Sequence, residues 1–577
     1  MKQLMLGNAA IARGLYEAGC RFVSAYPGTP STEITEFAAG YDEMYAEWAP
    51  NEKVAMESAF GASLAGARSF CAMKHVGLNV AADPLFTASY TGVNGGFVIC
   101  VADDPGMHSS QNEQDSRHYA RAAKLPMLEP ADSAECLTYT KLAFELSEQF
   151  DTPVIIRSCT RVAHSQSPVE IAPRQEMPLK EYQKNISKYV MSPGNAIGRH
   201  VAVEARTRRL LEYAETAGVN RVEPGNKTGF ICAGACYQYI KEVFPQASVL
   251  KLGMAFPLPE KLIRDFAQGV EKLYIVEELD SCIEDHVRAL GVVPDGGKNL
   301  TGPLGELSQG KLRRAFGLPA PETAEYGEPL PGRPPVMCPG CPHRGLFTVL
   351  KKLKLTVTGD IGCYTLGSMS PLTAMDTSLC MGASIGMAHG FTKVRPEAAG
   401  KTVAVIGDST FMHSGITGLI NVVYNLGAGK VVVMDNHITG MTGHQQNPTT
   451  GLTLKNQPTR AISIEAVCHA CGVDSVRVVD PYDMAQTEAV LREELAKDGP
   501  SVIIARRPCA LLKYVKHGPA LKINPEKCRS CRQCMKLGCP AIVMEGKAAR
   551  IDENQCAGCG VCAQACAFGA IEGGDAQ

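Results

Sequence analysis

The chain has 577 residues, 45% hydrophobic and 20% charged, with a net charge of −2, enough for roughly four soluble domains at about 150 residues each. A balance so close to neutrality excludes a general nucleic-acid binder, which needs a strongly basic surface, and no apolar stretch reaches the length of a membrane span. The opening MKQLMLGNAAIARGLYEAG is interrupted by Asn8, Arg13 and Gly14 and lacks the apolar core of a signal peptide, so the expected compartment is the cytoplasm.

Cysteine is the informative residue. There are 23, and in a large chain without an export signal they point to metal ligation or redox chemistry rather than disulfides.

In chain order, CRFVSAYPGTPSTEITEF reads as a strand, a turn at Pro27-Gly28 and a helix starting near Ser31. FVICVADD and PVIIRSCT read as further buried strands, and this alternation predicts a parallel α/β sheet over residues 1–165. Residues 166–225 are charged and irregular and are expected to form a linker with some helix. A second α/β unit, 226–318, carries strands at GFICAGA, ASVLKLG and KLYIVEELDS. The Pro-rich stretch 319–336 is the clearest boundary. A third α/β unit, 337–515, has strands at TVAVIGD, KVVVMDN and PSVIIARR, and residues 520–577 close the chain.

That last segment carries the strongest signal. Cys528-x2-Cys531-x2-Cys534-x4-Cys539-Pro540 is followed by Cys556-x2-Cys559-x2-Cys562-x3-Cys566. In a bacterial-type ferredoxin each run gives three thiolates to one [4Fe–4S] cluster, and its fourth cysteine serves the other. One cluster is therefore assigned Cys528, Cys531, Cys534 and Cys566, and the other Cys556, Cys559, Cys562 and Cys539. The first run has one extra residue before Cys539, and Ala567 replaces the usual proline after Cys566. Paired structural zinc sites are the alternative for such thiolates.

In the third unit a buried strand ends at Gly407-Asp408, and a second ends at Asp435-Asn436. Asp408 and Asn436 lie 28 positions apart, so a strand–helix–strand unit brings both to one sheet edge, where ligands of such sheets bind. Asp408, Asn436 and the carbonyl of Ile438 are hard oxygen donors suited to Mg2+, and the ion would neutralise a diphosphate. The pattern resembles the GDG…N motif of thiamine diphosphate enzymes, with Ser409 in place of the second glycine. An ordinary α/β strand pair with loop carboxylates is the alternative.

Other segments carry a wider resemblance: YPGTPST (26–32), NEKVAMESAFGAS (51–63), ADDPGMHSSQNEQDSRHYA (102–120), CPGCPHR (338–344), DIGCYTLG (360–367) and PLTAMDTSLCMGASIG (371–386). Together with the ferredoxin tail, they are similar to the large (alpha) subunits of the indolepyruvate:ferredoxin oxidoreductases, over essentially the whole chain. The resemblance implies a multidomain α/β protein. Its parts would be a pyrimidine-binding thiamine diphosphate domain (1–165), a transketolase C-terminal-like domain (226–318), a diphosphate- and Mg2+-binding domain (337–515) and the 2[4Fe–4S] ferredoxin domain.

The activity implied is oxidative decarboxylation of aryl 2-oxoacids to acyl-CoA and CO2, with reduction of soluble ferredoxin and coenzyme A as co-substrate. A smaller beta subunit in an α2β2 heterotetramer is implied as partner. By its place in NEKVA, Glu52 matches the glutamate that contacts the cofactor pyrimidine, with Glu57 as runner-up. Thr29, at a helix N-terminus suited to anions, is a candidate contact for the substrate carboxylate or the cofactor, as are His75, Asn79, His437 and His444. A structural role serves each lone histidine equally well, and Lys74 equally suits a surface charge. Cys338, Cys341, Cys363 and Cys509 fall where related enzymes ligate a third cluster; buried free thiols are the alternative. Cys468 and Cys471 lie on a helical pattern and are expected to pack. A thiamine enzyme that never releases electrons, and a pure electron-transfer scaffold, are the rival functions.

Overall fold

The computed structural model describes residues 1–319, 321 and 326–573, in two compact units, Met1–Tyr326 and Gly327–Gln577. The strands of the first unit are β1 (Lys2–Leu6), β2 (Phe22–Ala25), β3 (Tyr45–Trp48), β4 (Ser69–Lys74), β5 (Phe97–Asp103), β6 (Met127–Leu128), β7 (Val154–Cys159), β8 (Gln166–Glu170), β9 (Arg221–Glu223), β10 (Thr228–Ala233), β11 (Ser248–Leu252), β12 (Met254–Phe256) and β13 (Lys272–Val276). Its main sheet has the order β12-β6-β7-β5-β4-β2-β3 and is parallel except at β12. Every residue of β5 is buried, as a parallel strand covered on both faces requires. Helices α1 (Gly7–Glu17), α2 (Thr32–Ala39), α3 (Glu52–Leu64) and α4 (His75–Val80) complete the crossovers that concern the site.

Two expectations change here. Residues 166–225 are no mere linker. β8 pairs antiparallel with β1, and Pro193–Thr216 is a 24-residue helix that buries Val203, Arg206, Leu210 and Ala214. Its buried stripe is narrow and includes an arginine, whose Nη2 donates to the Ser89 carbonyl at 2.8 Å, so the charged sequence hid a packed face. The unit expected at 226–318 also does not stand apart. It builds its own sheet, β13-β10-β11-β9, but gives β12 to the main sheet, with Met254 opposite Leu128.

The second unit is built on β14 (Thr356–Gly359), β15 (Thr377–Ser378), β16 (Thr402–Gly407), β17 (Lys430–Asp435), β18 (Ser475–Val479) and β19 (Ser501–Arg506), ordered β15-β14-β16-β17-β19-β18 and parallel throughout. β16 and β17 are wholly buried. The end of the chain is a small fold of two antiparallel pairs: β20 (Lys522–Ile523) with β23 (Ile571–Glu572), and β21 (Ile542–Glu545) with β22 (Ala548–Ile551). Leu521, Leu537, Ile542 and Val561 form its core. Residues 320 and 322–325 of the Pro-rich stretch, and 574–577 of the final segment, lie outside the described residues. No described helix is long and apolar enough to cross a membrane.

Candidate functional site

In the first unit, Glu52 opens α3, where Asn51 caps the helix by accepting the Val54 N–H at 2.9 Å. The side chain is 4% exposed and lies against α4 so closely that a Cβ on Gly77 would stand 2.6 Å from its Oε1. Glu57, one turn on, is exposed and pairs with Lys53. Helix phase therefore separates the two glutamates: Glu52 faces the interior and Glu57 the solvent.

Thr29 sits in the turn after β2, where Gly28 accepts both the N–H and the hydroxyl of Ser31 at 2.9 Å. Lys74, at the end of β4, packs on the same turn, since a Cβ on Gly28 would meet its Cγ at 3.3 Å. Its Nζ donates to the Ser109 carbonyl at 3.0 Å, and burial lowers its pKa. His75 is buried, with Nε2 3.1 Å from the Asn112 carbonyl and Nδ1 without a partner; burial lowers its pKa as well. Asn79 is exposed and accepts the Tyr119 hydroxyl at 2.5 Å. The loop over this edge is held by Asp104, which accepts from the Ser109 N–H and from the Ser110 and Thr160 hydroxyls at 2.7–2.9 Å. Sequence reasoning noted the segment but not this hub.

In the second unit, Gly407 lies opposite Met434 in the parallel pair β16–β17, so Asp408 and Asn436 emerge at one edge. A side chain at 407 would collide with Tyr364, 2.7 Å away. Asp408 is buried. Its Oδ1 accepts the Ser409 N–H at 2.7 Å, and its Oδ2 has no partner. Burial, then the neighbouring Asp435, pushes its pKa up to about 8. Asp435 has a cation in Arg506, 2.7 Å away, and Asp408 has none among the described residues. Asn436 accepts the Ile438 N–H at 3.3 Å on Oδ1 and the Cys509 N–H at 2.9 Å on its carbonyl. The Ser409 hydroxyl accepts from Thr439 at 2.9 Å. An orphaned, buried carboxylate oxygen on the edge that also carries Asn436 suits a hard divalent cation, and the residues present fit that group.

Asp360, not singled out from the sequence, follows β14, is buried and accepts the N–H groups of Gly382 and Ser384 at 2.9 and 3.1 Å, so it fixes the start of the helix Ala383–Val394. Its position after a buried strand was the available signal. His437 stands 3.6 Å from Asp435, and His444 is 3.8 Å from Cys509 Sγ.

The ferredoxin cysteines fall into two groups. Cys528, Cys531, Cys534 and Cys566 line one cavity, and Cys539, Cys556, Cys559 and Cys562 line a second. The extra residue before Cys539 is taken up where the 3-10 turn Cys534–Leu537 ends on Gly538, at φ 64°. The Cys566→Ser variant is expected to lose about half of the ferredoxin-domain iron, and iron analysis with EPR identifies the surviving cluster. Loss of both clusters would count against the grouping.

Cys338, Cys341, Cys363 and Cys509 share one neighbourhood. Burial raises the Cys363 thiol to about 11, and Cys509 and Cys338 push it the same way; Cys341, raised to about 12 by burial, is also near Cys363 and Cys338. Cys363 Sγ would stand 3.3 Å from a Cβ on Gly440, beside the Asn436 loop. Among the described residues no three His, Cys, Asp or Glu converge as ligands of one metal ion. Cys468 is buried in the helix Ile464–Ala470.

Residues 13–224 match the family "Pyruvate flavodoxin/ferredoxin oxidoreductase, thiamine diP-bdg". Residues 360–505 match "Thiamine pyrophosphate enzyme, C-terminal TPP binding domain", and residues 520–567 match "4Fe-4S dicluster domain". The indolepyruvate oxidoreductase subunit IorA of Archaeoglobus fulgidus is 41% identical over 99% of this chain and 97% of its own length. Its namesake in Pyrococcus horikoshii is 40% identical over the same shares. A 2-oxoglutarate synthase subunit KorA of Archaeoglobus fulgidus is 26% identical over 48% of this chain and 88% of its own. The chain belongs to the indolepyruvate oxidoreductase subunit IorA family, thiamine diphosphate-dependent oxidoreductases with a C-terminal 4Fe–4S dicluster domain.

Proposed function

We propose that the chain is the large subunit of an enzyme that oxidises aryl 2-oxoacids such as indolepyruvate. One 2-oxoacid anion and one coenzyme A thiol give acyl-CoA, CO2, a proton and two electrons, which reduce two molecules of soluble ferredoxin one electron at a time. The observation that carries this reading is that one compact unit holds both the Asp408–Asn436 edge and two four-cysteine cavities, a site for carbon chemistry joined to an outlet for single electrons.

When bound, thiamine diphosphate supplies an electron sink that lets the 2-oxoacid lose CO2. Asp408, Asn436 and the Ile438 carbonyl would hold Mg2+, which would neutralise the diphosphate. Glu52 would hold and return a proton at the pyrimidine. Thr29 and His75 would contact the cofactor or the substrate carboxylate, and Lys74 would add a cation there. Cys338, Cys341, Cys363 and Cys509 would be the ligands of a third cluster. A smaller beta subunit completes the assembly as α2β2, in the cytoplasm.

The test is an anaerobic viologen-reduction assay on the chain with its beta partner, comparing indolepyruvate, phenylpyruvate, pyruvate and 2-oxoglutarate, with and without coenzyme A. Reduction that depends on coenzyme A and is fastest with the aryl acids is the expected result. Activity with pyruvate or 2-oxoglutarate alone rejects the aryl substrate but keeps the reaction. No reduction by any acid, with clusters intact, favours an electron-transfer scaffold.

A further inference from the structure

Arg344 stands where two cysteine loops meet. It is the second residue of the helix His343–Lys352 and is 4% exposed. Its Nη1 donates to the Leu537 carbonyl at 2.6 Å, and its Nη2 donates to the carbonyls of Met337 and Cys338 at 2.7 and 3.1 Å. Leu537 closes the turn between Cys534 and Cys539, and Cys338 begins the CPGC loop. One guanidinium thus ties the backbone of both loops together.

The same side chain lines the cavity of Cys539, Cys556, Cys559 and Cys562, with Cys341 on its wall. Arg344 forms no ion pair with a carboxylate among the described residues, and its buried Nε has no partner. Burial pushes the Cys341 and Cys559 thiols up, and the Arg344 charge pulls both back, so its field reaches this cavity.

We propose that Arg344 is a positioning residue for electron transfer: its unpaired buried charge raises the potential of the cluster held by Cys539, Cys556, Cys559 and Cys562, and its backbone bonds fix that cluster against the CPGC loop. The proposal rests on the reading of those four thiolates as cluster ligands. An uncompensated cation in a low-dielectric site favours the more negative, reduced state. Burying an unpaired guanidinium is costly, and an anionic cluster in this cavity offsets that cost.

EPR-monitored redox titration of the full chain with its beta partner, as wild type, Arg344→Lys and Arg344→Met, tests this. Arg344→Met is expected to lower the midpoint of that cluster by more than about 59 mV, a tenfold change in a one-electron equilibrium. The cluster of Cys528, Cys531, Cys534 and Cys566 keeps its midpoint, and Arg344→Lys, which keeps the charge, stays within that interval of wild type. An unchanged midpoint in Arg344→Met, or equal falls in both variants, overturns the proposal. Should Arg344→Met lose its iron, Arg344→Lys decides alone: a wild-type midpoint supports the role of charge and a lowered one overturns it. A wild-type protein with no reducible cluster sinks the cluster reading, and this role with it.

Discussion

Asp408→Asn is expected to abolish 2-oxoacid-dependent dye reduction while leaving the iron–sulfur absorption unchanged. The substitution keeps shape and volume but removes the one carboxylate at this edge with a free, buried oxygen. Asp435 cannot replace it, because Arg506 already occupies its carboxylate at 2.7 Å. Burial, and then the neighbouring Asp435, pushes the pKa of Asp408 up to about 8. A bound divalent cation removes both penalties, so cofactor loading and the charge of Asp408 are linked. Loss of a supporting outer partner at a metal site costs roughly 10–100-fold in affinity, and loss of a direct ligand is expected to exceed that. Cofactor retained after gel filtration, quantified by thiochrome fluorescence, is the readout. Wild-type retention of thiamine diphosphate in Asp408→Asn would sink the assignment of this edge as the diphosphate site.

Features set by local spacing were legible in the sequence. Eight cysteines fall into two cavities in the grouping that interleaved runs impose, because three cysteines of each set come from one loop and need no tertiary information. Asp408 and Asn436 were legible because a buried strand, a helix and a second buried strand return the chain to the same edge. What escaped depends on packing across long separations. The helix Pro193–Thr216 looked like linker because only four of its residues are buried and one is an arginine. β12 left its own unit for the main sheet, which no periodicity announces. Arg344 reads in sequence as a charge after CPGCPH; its meaning comes from Leu537, 193 positions away. Glu52 and Glu57 differ by five positions, more than a full turn, so only the placement of the helix decides which carboxylate is buried.

That placement makes Glu52→Gln the second decisive variant. Glutamine matches the shape of the buried carboxylate and leaves the Asn51 cap of α3 untouched, so the fold is expected to survive with an unchanged circular dichroism spectrum. The amide cannot take up and return a proton. If Glu52 performs the proton step at the pyrimidine, kcat falls on the order of 10²–10⁴-fold, the range of positioned acid–base groups, while cofactor retention stays near wild type. Glu57→Gln is the internal control. It breaks only an exposed pair with Lys53, a solvent-screened contact of little consequence for stability, and activity is expected to hold. Gly77→Ala probes the same carboxylate from the other side. Its Cβ would arrive 2.6 Å from Glu52 Oε1, so the side chain must turn away, and activity is expected to fall with the carboxylate chemically intact. Full activity in Glu52→Gln would remove Glu52 from the mechanism. Loss in Glu52→Gln with retention in Gly77→Ala would mean that the proton step tolerates a displaced carboxylate, and that the close approach of α3 and α4 serves packing alone.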